Sequence, residues 1–217
     1  MNILLIAATA KEITPFLEHY TISVKKEFLD IDVLITGIGL TSTTYHLTKQ
    51  LQLKKPGMVI QAGVAGCFDK QIPLGTVVKI KQDAIADESV IELKKLKTLF
   101  DLELLQTSQF PFKSGWLVNP GNVLFKQIKL KAVRGISINQ ITTSKQMIAF
   151  YKNKFNPVTE SMEGAALHYV CQMENIPFLQ LRSVSNYIGE RNKKNWNMNE
   201  SIINLNDVLI KAINNSF

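Results

Sequence analysis

The chain opens on an apolar run, Asn2 to Ala8 (NILLIAA), without the polar alternation of a half-exposed strand. Such a run suits a strand covered on both faces. Shorter runs recur at Val33–Thr36, Met58–Ala62, Thr76–Ile80, Ala132–Ile138 and Phe178–Ser185. Between them, Ser42–Gln52, Gln146–Lys154 and Ser161–Asn175 space their apolar residues three and four apart, the period of a helix face. Strands alternating with helices predict an α/β sheet with helices on its faces. Ser89–Phe112, with its ELKKLKTLFDLELL stretch, fits either a helix with flanks or a loop-rich excursion. No internal repeat, low-complexity linker or charge run divides the chain, and its 217 residues are read as one domain, 1–217.

Composition narrows the class. Hydrophobic residues at 46% and charged residues at 20% match a globular protein rather than a disordered or collagenous one. The two cysteines, Cys67 and Cys171, are far apart and lack CxxC spacing, so neither a disulfide framework nor a structural zinc site is expected. The longest apolar stretch, Ile3 to Ala8, is too short to span a bilayer, and the chain lacks a signal-peptide pattern. A cytoplasmic protein with no membrane association is therefore expected. Net charge is +7, but the lysines are scattered, with no run longer than two and no aromatic-basic repeat. That distribution disfavours nucleic acid as a partner.

In an open α/β sheet, ligands sit beyond the carboxyl ends of the strands. After the first run comes TAKEITP, which places Glu12 in the first turn of a helix. Thr9 and Glu12 have capping-box spacing, in which the carboxylate returns a hydrogen bond to the cap backbone. The same carboxylate at the mouth of a sheet is also placed to polarise a water. Glycine clusters follow two runs, TGIGLTST (Thr36–Thr43) and QAGVAGCF (Gln61–Phe68). Both read as strand-to-helix turns, where glycine allows a sharp bend and close approach to a ligand. Neither is a dinucleotide fingerprint nor a P-loop, and no cofactor or metal is expected.

TESMEGAALHYVCQMEN puts Met162, Glu163 and Gly164 at the start of a helix. A carboxylate there is favoured by the helix dipole, and it can also accept from the vicinal hydroxyls of a ribose. LRSVSNYIGER (Leu181–Arg191) leaves a strand and ends in polar groups. Asn186 offers a donor and an acceptor to a heterocycle edge, and Arg182 is one of only three arginines, either a ligand contact or an ion pair at the strand end.

Taken together, NILLIAATAKEITPF, VLITGIGLTSTT, VIQAGVAGCFDKQIPLGTVV, AVRGISI and SMEGAALHYVCQMENIPFLQLRSVSN resemble the purine nucleoside phosphorylase and methylthioadenosine/S-adenosylhomocysteine nucleosidase superfamily, almost end to end. SNYIGER followed by Trp196 is most similar to its futalosine-hydrolase branch. The resemblance implies a three-layer α/β/α sandwich around a mixed, partly closed sheet, assembled as a homo-oligomer. It implies Glu12 as the carboxylate that activates water, Glu163 as the grip on the ribose hydroxyls, Met162 as its sugar-facing neighbour, and Arg182 as the arginine near the water. Gly63, Val64, Thr143 and Arg191 are implied as further substrate contacts. Asn186 stands where adenosine-type nucleosidases carry an aspartate, which points to a 6-oxopurine.

The implied reaction is hydrolysis of futalosine to hypoxanthine and dehypoxanthine futalosine, a step toward menaquinone. Gln61 and Val64 replace the arginine and serine with which phosphorylases of the superfamily hold phosphate, so water is the expected acceptor. Arg191, Arg134 or Lys11 could meet the benzoate carboxylate of futalosine. The alternatives are a methylthioadenosine/S-adenosylhomocysteine nucleosidase, a purine nucleoside phosphorylase, and a nucleoside-binding protein without turnover.

Overall fold

The structure, a computed structural model, describes residues 2–22 and 30–216. The opening run forms β1 (Asn2–Ala7), and its absence of alternation has a direct cause. Ile3, Leu5 and Ala7 pack on one side against Ile13, Phe16, Leu205 and Leu209. Leu4 and Ile6 pack on the other against Leu47, Leu51, Leu167 and Val170. Those partners come from helices α1 (Ala10–Ile22) and α6 (Met198–Ser216) on one face, and α2 (Leu40–Leu53) and α5 (Gly164–Met173) on the other. The result is the expected three-layer α/β/α sandwich. Each fully buried Leu or Ile in these layers contributes about 1.5–3 kcal/mol of transfer free energy.

Among the described residues, nine strands form the central sheet. Besides β1 they are β2 (Asp30–Ile35), β3 (Met58–Cys67), β4 (Val77–Asp83), β7 (Phe112–Lys113), β8 (Trp116–Val118), β9 (Ala132–Ser137), β10 (Thr159–Ser161) and β11 (Phe178–Tyr187). The sheet is mixed: β3 is parallel to β1 and β11 but antiparallel to β10, and β4 is parallel to β9 but antiparallel to β11 and β8. Strands β3, β10, β9, β4 and β11 pair in a ring, since β11 bridges β3 and β4. The sheet is thus partly closed, and α4 (Lys145–Phe155) covers its far end through Tyr151 and Phe155. Helix α3 (Val123–Gln127) places Leu124 in the core beside α6.

Three local expectations change. The QAGVAGCF segment is no turn: β3 runs on to Cys67, and no helix follows it. Its small residues let β11 lie alongside, from Gln180 opposite Gln61 to Tyr187 opposite Cys67. TGIGLTST is a turn, with Gly37 and Gly39 at positive φ before α2. Residues 89–112 contain a hairpin, β5 (Ser89–Glu92) and β6 (Lys95–Thr98), followed by turns leading to β7. Helix α5 starts at Gly164 rather than Ser161, because Thr159–Ser161 pair as β10. Among the described residues no helix is long and apolar enough to cross a membrane.

Candidate active site

The capping box expected at Glu12 is present, and the same carboxylate also reaches a second element. Its Oε2 accepts from Thr9 N (3.0 Å) and Thr9 Oγ1 (3.1 Å), the return arm of a capping box at the start of α1. Its Oε1 reaches across to accept from Val64 N on β3 (3.1 Å). Burial pushes its carboxyl above the usual range, opposed by the charge of Arg182 and the Val64 N–H. A partly desolvated carboxylate held by backbone donors is a fixed and strengthened proton acceptor.

Glu163 stands at the N-cap of α5, just ahead of the first turn. Only 5% exposed, it spans two elements: Oε1 accepts from Gly39 N in the glycine turn (3.2 Å), and Oε2 from Arg182 Nη2 (3.3 Å). Arg182, at 1% exposure, also donates from Nη2 to Gln61 Oε1 (3.1 Å) and from Nη1 to Val64 O (3.4 Å). Gly63 explains how so large a side chain fits: a Cβ there would lie 2.4 Å from Arg182 Nη1 and 3.0 Å from Glu12 Oε1. The arginine therefore sits behind both carboxylates, with Nη1 and Nη2 engaged by protein acceptors and Nε unpartnered.

In front of them lies a cavity of about 340 Å³, within the size range of small-molecule sites. Glu12, Val64, Met162, Glu163, Asn186 and Arg191 all line it. Asn186 Oδ1 accepts from Ser185 Oγ (3.0 Å), and its Nδ2 donates to Tyr187 O (3.2 Å). One amide hydrogen is left for a ligand. At the other end, the Arg191 guanidinium lies over Trp196, 5.5 Å from the ring centroid, and both residues face the cavity with Lys11.

Four residues expected at the site fall elsewhere. Arg182 and Gly63 do not line the cavity: the first is turned to the protein interior, and the second makes room for it. Thr143 is exposed and outside, whereas its neighbour Thr142 lines the wall. A one-residue slip is easily made in a loop without periodicity. Arg134 stacks on Trp116, 5.7 Å from its centroid, also away from the cavity.

Glu160 was not singled out by the sequence. On β10 it is 5% exposed and lines the cavity, with Oε1 accepting from Thr142 N (3.2 Å). Burial raises its carboxyl, and Thr142 beside it counters part of the rise. Deeper in, Ser137 Oγ donates to Asp83 Oδ1 (3.0 Å), and Gln180 Nε2 approaches Oδ2 at 3.5 Å. His168, on α5, bonds Leu117 O through Nδ1 (2.9 Å). Burial moves these two groups oppositely, Asp83 up to about 6 and His168 down to about 4. Among the described residues no group of His, Cys, Asp and Glu is arranged to hold a metal ion.

Comparison with known proteins places this arrangement in a family. A 5'-methylthioadenosine/S-adenosylhomocysteine nucleosidase of Shewanella sp. (strain W3-18-1) is 28% identical over 194 residues, covering 84% of this chain and 75% of the relative. One from Glaesserella parasuis serovar 5 is 27% identical over 172 residues, covering 72% of this chain and 67% of the relative. Among solved structures, the Helicobacter pylori 5'-methylthioadenosine/S-adenosylhomocysteine nucleosidase superposes with a TM-score of 0.81 at 22% identity, covering 99% of this chain and 98% of that one. The Helicobacter pylori futalosine hydrolase has the same TM-score at 21% identity and the same coverage. Residues 3–214 match the Phosphorylase superfamily, and the chain belongs to that family.

Proposed function

We propose that this protein is a purine nucleosidase that hydrolyses the N-glycosidic bond of futalosine, releasing hypoxanthine. The observation that carries the reading is the placement of Glu12 and Glu163 on one cavity, a partly buried acceptor for a water proton beside a buried acceptor for sugar hydroxyls. Breaking the C1′–N9 bond leaves positive charge on the ribose and sends the electron pair to the base. Water adds to C1′ and yields its proton to Glu12, the departing purine anion takes up one proton from solvent to leave as hypoxanthine, and Glu12 returns its proton to solvent. Glu163, fixed by Gly39 N and Arg182, accepts from the ribose hydroxyls, and Met162 lies against the sugar. Arg182 acts by positioning: it holds Glu163 and, through its charge, tempers the rise of Glu12.

Water is favoured over phosphate as the acceptor. Phosphate would enter a cavity lined by Glu12, Glu160 and Glu163, while Arg182 does not line that cavity and its Nη groups are engaged by Glu163, Gln61 and Val64. Anion sites need free donors. Asn186 carries the choice of base. Its remaining amide hydrogen suits an acceptor such as the 6-oxo group or the imidazole nitrogen, and an amide gives that atom a hydrogen bond but no proton. Arg191 and Lys11, both on the cavity, are the cations available to the benzoate carboxylate. Exposed Ile38 and Ile141 on the cavity rim support assembly as a homo-oligomer.

The curated relatives favour a second reading, a methylthioadenosine/S-adenosylhomocysteine nucleosidase. Steady-state kinetics on futalosine, inosine and methylthioadenosine in phosphate-free buffer separate the two. The expected order of kcat/KM puts futalosine first, and a preference for methylthioadenosine would transfer the assignment to the second reading.

A further inference from the structure

Glu160 is a cavity carboxylate to which glycosidic cleavage itself gives no task. While Oε1 is held by Thr142 N, Oε2 and the neighbouring Thr142 Oγ1 are both buried without a hydrogen-bond partner. Buried polar atoms are nearly always partnered, so an unpaired carboxylate oxygen on a ligand cavity marks a missing donor.

The sheet register shows where that donor would lie. Glu160 on β10 is opposite Gly66 on β3, and Gly66 is in turn opposite Asn186 on β11. The two side chains therefore flank a glycine across two strand spacings, about 9.6 Å. Gly66 also lines the cavity, and a Cβ on it would lie 2.4 Å from Ile188 Cδ1 and 3.5 Å from Asn186 Nδ2. The missing side chain leaves that place to Ile188, which also lines the cavity and gives an apolar floor between an amide donor on one side and a carboxylate acceptor on the other. A flat purine with a hydrogen bond of about 2.9 Å at each edge suits that span.

The polarity of the two walls selects among purines. A 6-oxopurine presents acceptors at O6 and N7 beside a donor at N1–H, matching Asn186 and Glu160 in order. Adenine presents a donor at its 6-amino group and an acceptor at N1, which sets lone pair against lone pair at Glu160. We propose that Glu160 accepts the N1–H of a 6-oxopurine and so determines the preference for hypoxanthine over adenine. This rests on the nucleosidase reading of the same cavity and deepens it. A carboxylate on N1–H also pushes electron density into the ring, making the imidazole nitrogen more basic as the base departs.

The test is calorimetric binding of hypoxanthine, 1-methylhypoxanthine and adenine to the wild-type protein and to Glu160→Gln, with thermal melting of both. The glutamine keeps an oxygen for Thr142 N. Wild type should bind hypoxanthine roughly 10- to 100-fold more tightly than its N1-methylated form, the span of a hydrogen bond to a charged acceptor. Glu160→Gln should lose that margin while binding adenine as well as before or better, since its amide can donate to N1. Equal weakening for hypoxanthine and adenine would reduce Glu160 to a support for the Thr142 loop and overturn the proposal. So would a wild-type protein that does not distinguish hypoxanthine from 1-methylhypoxanthine, a comparison that needs no variant. Because binding is read without turnover, a protein that shows this pattern yet releases no base would contradict the nucleosidase reading and leave this one standing.

Discussion

Glu12 accepts three hydrogen bonds on one carboxylate, two of them from backbone N–H groups, Thr9 N on Oε2 and Val64 N on Oε1. That detail changes what its replacement means. In Glu12→Gln the amide NH2 must face one of those two N–H donors, so the variant loses a hydrogen bond whichever way it turns. Leaving one buried donor unpaired costs about 1–3 kcal/mol. Turnover should fall further, by ~100- to 10,000-fold, the usual contribution of a general base. Wild-type kcat/KM should also fall on the acid side, with its limb displaced above the ordinary glutamate range because the Glu12 carboxyl is raised. Kinetics and thermal melting of the two proteins check both parts. A variant that loses stability but keeps most of its turnover would leave Glu12 as a helix cap alone.

Among the elements, β4, β9, β11 and α5 meet at a buried polar group whose members titrate in opposite senses. Asp83 ends β4 and is raised to about 6, so the folded protein holds its proton more tightly than the unfolded chain. Its stabilising share is complete below the unfolded value and is lost as pH rises through about 6. His168 on α5 is lowered to about 4, so its penalty is absent above the unfolded value of 6.5 and grows as pH falls toward about 4. Between about pH 4 and 6 the two slopes oppose one another. Asp83→Asn removes one of them, and its melting temperature, relative to wild type, should rise with pH across that window. A constant difference from wild type would mean that Asp83 titrates as an ordinary carboxyl.

What the sequence discloses also follows element length. Glu12, Val64 and Asn186 follow or end long apolar runs, and the ends of strands are where an α/β sheet gathers ligand contacts. Glu160 lies in β10, three residues long, too short to show a period, and its neighbours read as the start of α5. Arg182 is conspicuous by its rarity, but nothing in the sequence shows that Gly63 turns it inward. The glycines of QAGVAG looked like a turn because glycine more often marks a bend than a strand that must accept a large neighbour.

At the scale of the whole molecule, the ring of β3, β10, β9, β4 and β11 brings the ends of distant segments to one cavity. Residues from Ala8 to Ile202 share that cavity wall. The central claim is that water, activated on this wall, is the acceptor in N-glycosidic cleavage. It is tested by incubating the purified protein with futalosine and inosine, with and without inorganic phosphate, and identifying the sugar product while following free hypoxanthine. The account predicts hypoxanthine release at the same rate in both buffers and an unphosphorylated sugar product. A sugar 1-phosphate, or a rate that depends on phosphate, would contradict it.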